Sequence, residues 1–493
     1  MRAVLITLVL IAAAGLLAAL ALALGLGGSD PPDVKVDAIA EQARSRSEVG
    51  SGDPLAWSPF RGDELAARAT LGTSHVLYAK SPDGVAASAE RTDEWRAEIE
   101  AAAREHEVEP DMLEAMVFLE SAGRETIMAD GTPRSASGLV QIIPSTATGL
   151  LAMRVDLERS IKLTRRIGRA ASQGKREAAL RMTRERAKID ERFDPRKALM
   201  GAGRYLRFAE ERLGSEQLAV VSYHMGVGNL ENVISAYSGA PVGEDGVADI
   251  VDEQEIDYVR LFFDSSPQNH EASWSILSGL GDDSALYFWR IRAARGIMER
   301  WRENPEELSE TADLATRKAT LEELYHPEEE TEVFESPDDV LEARDDDELV
   351  ALPDDPSLGF EVTEQAGELA GELDVEPDLY HALRPEALAA LTYLAAKVQA
   401  ISGARRPLQV TSAARDREYQ DLLIGVNPEA TQEYSLHTTG WSFDIRRNYA
   451  SDKQANAFQF ALDRLRAHAI LDYAYEPAAI HVTVSEFAGE LTD

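Results

Sequence analysis

The sequence contains no cysteine among its 493 residues. This absence excludes disulfide bonds, thiolate metal ligands, a cysteine nucleophile and a lipid attached through an N-terminal cysteine. Any metal ion must therefore be held by histidine and carboxylate side chains.

Basic residues are few compared with acidic ones. The chain has 50 Lys and Arg against 87 Asp and Glu, which gives a formal net charge of −37. Such a charge repels phosphate backbones, so we expect no nucleic-acid partner. The 44% apolar fraction is ordinary for globular proteins, and the length allows two or three domains.

Only one apolar run is long, and it spans residues 3–26. It exceeds the roughly 7 to 15 apolar residues of a cleaved signal peptide and matches the roughly 20 that span a bilayer. We therefore predict an uncleaved anchor over residues 1–28, with the rest of the chain outside the cytoplasm. An A-x-A-like site at residues 21–23 leaves a cleaved signal peptide as the alternative.

Composition divides the remaining chain into four segments. We predict a spacer over residues 29–90, a mainly α domain over 91–302, an acidic linker over 303–365 and a smaller α+β domain over 366–493. Within the mainly α domain, residues 151–192 form a basic helical insertion. A solvated helical hairpin is the favoured interpretation, and a docking surface for acidic wall polymers or anionic lipid is the alternative.

A glutamate interrupts an apolar helical stripe in "MLEAMVFLESAGR", residues 112–124. Leu113, Met116 and Val117 follow helical spacing, and the next position of the stripe is Glu120. Apolar surroundings raise the pKa of a carboxyl group, so this side chain can hold a proton near neutral pH and act as a general acid. Taken alone, it would more often be a solvated side chain at a helix end.

Three further motifs follow in order: "SGLVQIIPSTA", "FDPRKALMGAGRYLRF" and "YHMGVG". Together with the Glu-Ser helix end, they resemble the soluble lytic transglycosylases, bacterial enzymes with a lysozyme-like fold that cleave peptidoglycan glycan strands. The resemblance covers roughly residues 92–235. It implies no cofactor for this domain.

The resemblance also implies a mechanism with one carboxylate. Most glycosidases pair two carboxylates, but the matching motifs supply only Glu120. In this family the substrate's N-acetyl group and C6 hydroxyl take the second role, which leaves a 1,6-anhydromuramoyl end. Glu120 would act first as acid and then as base.

Position by position, the resemblance assigns sugar contacts to Gln141 and Tyr223, with Ser121 and Ser137 as weaker matches. The family usually has asparagine after the tyrosine, whereas this chain has His224, whose ring can replace the amide donor. Each of these residues, taken alone, also fits an ordinary structural role.

Two strand-like segments near the C-terminus carry a second pattern. In "WSFDI" and "IHVTV", Asp444 and His481 alternate with apolar residues, so both can leave the buried face of a sheet. His437 precedes a Thr-Thr-Gly turn. Two imidazoles and a carboxylate would leave zinc one open position for water. The alternative is that both histidines are satisfied polar residues of the sheet.

This pattern resembles the zinc D,D-carboxypeptidases and D-Ala-D-Ala dipeptidases over roughly residues 380–487. Their Ser-x-His-x-x-Gly-x-x-x-Asp motif is matched at residues 435–444, and Arg415 matches their substrate-polarising arginine. One departure is serious, because Ala478 stands where the family has its catalytic glutamate. Glu476 could replace that base only if the chain bulged after Pro477.

The two resemblances together predict a membrane-anchored enzyme of the bacterial cell envelope that remodels peptidoglycan. Its expected partners are glycan strands and stem peptides, with zinc in the C-terminal domain. The alternatives are a hydrolytic muramidase with an inactive C-terminal domain and a peptidoglycan-binding scaffold.

Overall fold

The computed structural model describes residues 34–46, 52–427, 431–432 and 434–492. The chain forms two compact units. The continuous unit comprises residues 76–312, and the discontinuous unit combines the described residues up to 75 with those from 313 onward.

The continuous unit is helical, as the sequence predicts. Its two boundaries fall within the helices His75–Lys80 and Pro305–Arg317. Its helices are α3 (His75–Lys80), α4 (Val85–Asp93), α5 (Arg96–His106), α6 (Pro110–Ser121), α7 (Pro144–Gly149), α8 (Leu157–Ser172), α9 (Arg176–Ile189), α10 (Pro195–Leu213), α11 (Glu216–Met225), α12 (Val227–Ser238), α13 (Ala248–Glu253), α14 (Tyr258–Asp264), α15 (Glu271–Gly279), α16 (Tyr287–Glu303) and α17 (Pro305–Arg317).

Helix α6 packs against α16. Pro110 begins α6, and Ala122 ends it in a left-handed conformation with φ of 51°. Leu113, Met116 and Val117 are fully buried. The predicted apolar stripe of this helix is thus confirmed.

The predicted insertion is a helical hairpin of α8 and α9. Ile161 and Leu163 of α8 are buried, while most of the basic side chains of the hairpin are exposed. Asp190, which follows the hairpin, accepts hydrogen bonds from Ser160 at 2.7 Å and from the guanidinium of Arg192. Buried polar contacts therefore connect α8 to the residues that directly follow the hairpin.

The discontinuous unit is an α+β structure, as predicted. Its helices are α1 (Val36–Arg44), α2 (Gly62–Gly72), α18 (Glu322–Tyr325), α19 (Pro337–Asp345), α20 (Pro385–Ser402), α21 (Arg417–Val426) and α22 (Asp452–Ala467). Its strands are β1 (Val350–Ala351), β2 (Phe360–Val362), β3 (Ala382–Leu383), β4 (Leu408–Ser412), β5 (Ser442–Arg446), β6 (Leu471–Tyr475) and β7 (Ala479–Val484).

Five of these strands form one sheet in the order β2-β4-β5-β7-β6. Strands β5 and β7 are antiparallel, and their register places Asp444 opposite His481. Phe443 and Val482, on the opposite face, are fully buried in the core beneath α20 and α22. The period-two alternation predicted for both strands is therefore observed.

The described part of the predicted spacer, residues 29–90, is folded, so the interpretation of these residues as a spacer is wrong there. Helix α1 packs against α20 and buries Ile39. The carboxylate of Asp53 is buried and accepts hydrogen bonds from Tyr393 and from Lys397, the latter at 2.9 Å. Many of the buried residues are alanines, which carry little hydrophobic weight in a sequence pattern.

The predicted acidic linker is also folded over its whole length. Leu321, Tyr325, Phe334 and Val340 are buried within the discontinuous unit. Apolar side chains at helical or turn spacing fill the core, and most of the carboxylates between them remain exposed. The acidic composition of residues 303–365 therefore did not indicate a linker.

Within the described residues, no helix is both long and apolar enough to cross a membrane. The predicted anchor, residues 1–28, lies outside these residues.

Candidate functional site

Glu120 lies at the C-terminal end of α6, where its carboxyl group is only partly accessible. The hydroxyl of Tyr287, at the start of α16, donates a hydrogen bond to Oε1 of Glu120 at 2.8 Å. Burial raises the pKa of Glu120 to about 7, although the tyrosine hydrogen bond opposes the shift. Near neutral pH this side chain therefore exists in both protonated and ionised forms.

A second glutamate on the same helix shows the contrast. Glu114 is fully buried, but its carboxylate pairs with Arg302 at 2.6 Å and Arg96 at 3.2 Å. Among the described residues, no cationic side chain pairs with Glu120. Glu114 is accordingly a structural ion-pair partner, while Glu120 is free to exchange a proton.

Tyr223, on α11, lies near Glu120 and is hydrogen-bonded to the loop that carries Gln141. Its hydroxyl donates to the carbonyl of Val140 at 2.6 Å, and burial together with nearby Glu120 raises its pKa strongly. Gln141 has a positive φ of 47°. Its side-chain amide, through Nε2, donates a hydrogen bond to the carbonyl of Gly138 at 2.7 Å. The predicted residues Glu120, Tyr223 and Gln141 thus lie in one region.

His224 reaches the same region from the exposed side. Its ring stacks on Tyr287 with centroids 5.2 Å apart, and Nδ1 lies 2.8 Å from Oγ of Ser284. The side chain is exposed. His224 therefore stands beside the tyrosine that contacts Glu120, at the rim rather than in the core.

Ser121 and Ser137 do not face this region as sugar-binding residues would. Ser121 is buried and donates to the carbonyl of Val117, and Ser137 is fully buried and donates to that of Ser135. Ser137 also pairs through its backbone with Ile142. Both hydroxyls are used within the fold, so the predicted substrate contacts are corrected to structural roles.

Arg192 fixes the shape of the loop that carries Gln141. Its fully buried guanidinium pairs with Asp190 at 2.8 Å and donates to the carbonyls of Pro133, Ser135 and Ile142. Hydrogen bonds from the buried guanidinium of Arg192 therefore hold the loop in its conformation.

In the discontinuous unit, the fold brings together the three residues predicted to bind metal. Asp444 comes from β5, His481 from β7, and His437 from the 3₁₀ turn Leu436–Thr439. Oδ1 of Asp444 lies 3.0 Å from Nδ1 of His481 and 3.3 Å from Nε2 of His437. One atom of each residue lies within 4.8 Å of the others, a spacing that a single ion can bridge.

The other ring nitrogen of each histidine has an oxygen acceptor. Nδ1 of His437 lies 2.8 Å from the carbonyl of Ala413, and Nε2 of His481 lies 3.3 Å from Oε2 of Glu322. Hydrogen bonds at these positions leave Nε2 of His437 and Nδ1 of His481 facing Asp444. Both of these nitrogens therefore lie on the side of the ring where an ion beside Asp444 would bind.

The electrostatics of this cluster favour an ionised carboxylate. Burial alone would raise the pKa of Asp444, but the two imidazoles hold it well below its usual range. Burial and the nearby Arg415 lower the pKa of His437. Although burial would lower it, hydrogen bonds to Asp444 and Glu322 raise the pKa of His481 to about 10.

Arg415 lies beside the cluster, with Nη2 3.7 Å from Oδ2 of Asp444. It lines a surface cleft together with Asp444, Glu476 and Ala478. Ala478 offers no base, and Glu476 reaches the cleft from the turn between β6 and β7. The predicted arginine and Asp444, one of the three predicted ligands, therefore line the same cleft.

Residues 172–241 match the Transglycosylase SLT domain family. The match runs from the end of α8 to just beyond α12. It contains Tyr223 and His224, but it begins after Glu120 and Gln141 and so does not include them. No curated protein matches the chain. The match supports the lytic transglycosylase prediction for the continuous unit, and proteins of this family act on peptidoglycan in the cell envelope.

Two residues at these sites were not predicted from the sequence. Tyr287 opens a helix that carries no motif, and Glu322 lies in the segment interpreted as a linker. Each meets its partner more than 150 residues away, at separations of 167 and 159. Only a pattern of long-range pairing could have identified them.

Proposed function

We propose that this protein is a peptidoglycan lytic transglycosylase that cleaves the MurNAc-GlcNAc bond and leaves 1,6-anhydromuramoyl ends. The observation that carries the proposal is the setting of Glu120, a carboxyl group that is mostly shielded from solvent, accepts a hydrogen bond from Tyr287 and has no cation or second carboxylate beside it among the described residues. The family match over residues 172–241 supports the substrate class.

In the first step, protonated Glu120 donates its proton to the glycosidic oxygen while the bond from that oxygen to the anomeric carbon breaks. The substrate's own N-acetyl group stabilises the cationic sugar. In the second step, ionised Glu120 takes the proton of the C6 hydroxyl, whose oxygen bonds to the anomeric carbon. The glutamate returns to its protonated form, and no water is consumed.

The neighbouring side chains support positioning of the sugar. Tyr223 and Gln141 form one side of the region through the Val140 contact, and His224 stands at its rim beside Tyr287. Because the hydroxyl of Tyr287 stabilises ionised Glu120, it favours the form that acts as base in the second step.

Digestion of peptidoglycan sacculi with the full chain, followed by mass analysis of the fragments, tests this proposal. We expect anhydro ends from the wild type and none from Glu120→Gln. Reducing ends in their place would indicate a hydrolytic muramidase instead. Binding to sacculi without any cleavage would indicate a scaffold.

For the discontinuous unit we propose a zinc site that binds or trims stem peptides. His437, Asp444 and His481 would hold the ion, and the acceptors on the far ring nitrogens support this assignment. Bound zinc would polarise a peptide carbonyl and activate a water molecule. Arg415, in the same cleft, would bind the carboxylate or carbonyl of the peptide.

Peptidase turnover needs a base, and Glu476, one of the carboxylates that line the cleft, is our candidate for it in place of Ala478. Metal analysis of the wild type and His437→Ala tests the site. Equal and negligible zinc in both proteins would remove it. Release of D-alanine from stem peptides that is lost in Glu476→Gln would identify the base.

The cell envelope is the compartment in which such an activity would operate. The anchor over residues 1–28 remains a prediction that the protein is held at the membrane. Detergent extraction of the full chain from a membrane fraction tests it, because a cleaved signal peptide would leave the protein free of that fraction.

A further inference from the structure

We propose that Glu322 is a positioning residue for the metal centre, which selects and holds the ring nitrogen of His481 that faces the ion. The inference rests on the proposed zinc site and adds to it a residue from the segment that the sequence marks as an acidic linker. Glu322 is not part of the peptidase-like motif, which lies more than 90 residues further along the chain.

The geometry divides the two nitrogens of His481 between two carboxylates. Nδ1 lies 3.0 Å from Oδ1 of Asp444, and Nε2 lies 3.3 Å from Oε2 of Glu322. Glu322 therefore contacts the ring nitrogen opposite the one that faces Asp444 and His437. This places its carboxylate outside the reach of the ion, as an acceptor for the ring rather than as a fourth ligand.

The same oxygen of Glu322 is surrounded by donors. The hydroxyl of Thr320 lies 3.1 Å from it and that of Thr483 lies 3.4 Å from it. A carboxylate accepts hydrogen bonds and does not donate them, so Nε2 carries the proton shared with Glu322 and, without a metal, Nδ1 carries the one shared with Asp444. An ion bound between Asp444 and His437 would displace the Nδ1 proton, whereas the Nε2 proton would stay with Glu322. Nδ1 is then the nitrogen left for a metal.

The segment that carries Glu322 is fixed at both ends. Before the glutamate, the amide of Leu321 donates to Oδ2 of Asp472 on β6 at 2.9 Å. After it, Nε2 of His326 lies 2.7 Å from the carbonyl of Val484 on β7, and the imidazole stacks on Trp441. Because Glu322 is itself buried, its carboxylate has little freedom to leave the ring.

This arrangement matches a known physical effect. A carboxylate on the far nitrogen of a metal-binding imidazole fixes its tautomer and orientation and makes it more basic, and loss of such a group typically weakens metal affinity by about 10 to 100-fold. The effect requires both a fixed acceptor and a fixed ring. The contacts of Glu322 and the sheet position of His481 provide both.

Zinc titration of the full chain, purified in detergent and freed of metal, tests the inference. Competition with a chromogenic chelator gives the affinity. We expect Glu322→Ala to bind zinc about 10 to 100-fold more weakly than the wild type, and Glu322→Gln, which keeps a neutral acceptor oxygen, to fall between them. The matched control is Glu323→Gln, a buried neighbour that contacts Arg317 instead of an imidazole, and we expect its affinity to equal that of the wild type.

A spectroscopic measurement separates orientation from folding. With cobalt at saturating concentration, we expect the visible absorption of Glu322→Ala to differ from that of the wild type, because the ligand field depends on the ring. If Glu322→Ala does not fold, Glu322→Gln decides the matter, provided that its melting temperature equals that of the wild type.

Two negative outcomes are distinguishable. Wild-type affinity and spectrum in a folded Glu322 variant, while His437→Ala binds no metal, would overturn the positioning role and leave the zinc site intact. Absence of zinc binding by the wild type would overturn the zinc site and this inference with it.

Discussion

The hydroxyl of Tyr287 donates a hydrogen bond to the carboxyl group of Glu120 across 2.8 Å, although 167 residues separate them in the chain. Burial raises the pKa of the glutamate to about 7, and the tyrosine keeps it from rising further. The pair therefore sets the pH range in which this carboxyl group can both donate and accept a proton.

Cleavage should decline in alkaline solution. Only protonated Glu120 can serve as the acid, and its pKa is about 7, so kcat/KM should fall about tenfold for each pH unit above that value. Rates of release of soluble fragments from sacculi between pH 5 and 9 measure this. A rate that stays constant from pH 6 to pH 9 would contradict the assignment.

Tyr287→Phe should move this decline to higher pH. Its hydroxyl stabilises ionised Glu120, so its removal leaves burial unopposed and raises the pKa of the carboxyl group further. The matched control is Tyr237→Phe, whose hydroxyl binds Asp264 instead, and its pH profile should equal that of the wild type. A shift to lower pH in Tyr287→Phe would contradict the hydrogen-bond direction.

Glu120→Gln should stabilise the fold in alkaline solution. The pKa of Glu120 rises from an ordinary 4.5 to about 7 on folding, so the native state holds this proton more tightly than the unfolded chain does. The associated stability is present below pH 4.5 and is lost as the pH rises through 7. At pH 9 the amide should increase the free energy of unfolding by roughly 1 to 3 kcal/mol, with partial exposure reducing the effect.

Urea unfolding of both proteins at pH 4 and pH 9 measures that difference. The gain should be near zero at pH 4, where both side chains are neutral. A variant that is less stable than the wild type at pH 9 would show that the carboxylate has a compensating partner.

Gly138→Ala should destabilise the continuous unit. Gly138 has a φ of 85°, and an added Cβ would lie 1.8 Å from the carbonyl oxygen of Arg192. The conformation alone costs about 1 to 2 kcal/mol for a residue with a side chain, and the collision adds to it. The matched control is Gly168→Ala in α8, where the new methyl group meets open space and should be neutral or slightly stabilising.

Thermal unfolding of the two glycine variants distinguishes them. We expect a lower melting temperature and weaker cleavage for Gly138→Ala only. Equal melting temperatures would mean that the loop can move away from Arg192.

Zinc should stabilise the discontinuous unit. A ligand at about 100 times its Kd adds about 2.7 kcal/mol to the stability of the state that binds it. Calorimetry with and without zinc should show this gain in the wild type and none in His437→Ala. A gain of the same size in both proteins would point to binding elsewhere.

Local signals predicted much of the fold. The helical spacing of Leu113, Met116 and Val117 predicted the buried face of α6. Period-two alternation in β5 and β7 predicted that Asp444 and His481 would both lie on the face of the sheet opposite its buried apolar face. In these cases a short stretch of sequence carries the physical cause of the structure.

The remaining features depend on partners that are distant in sequence. Tyr287 and Glu322 acquire their roles from side chains more than 150 residues away, and no spacing rule connects them. The folded spacer was missed because alanines and a buried Asp53 provide its packing. Ser121 and Ser137 were misassigned because a motif match does not reveal which way a hydroxyl points.

The discontinuous unit has a consequence for the order in which the chain can fold. Asp53 and Lys397 form a buried pair 344 residues apart, so the first part of this unit needs the last part for its packing. During synthesis from the N-terminus, residues 76–312 are complete before their flanking unit exists. The continuous unit can therefore fold while the chain is still being made, whereas the packing of Asp53 must wait until the C-terminal part of the discontinuous unit has been made.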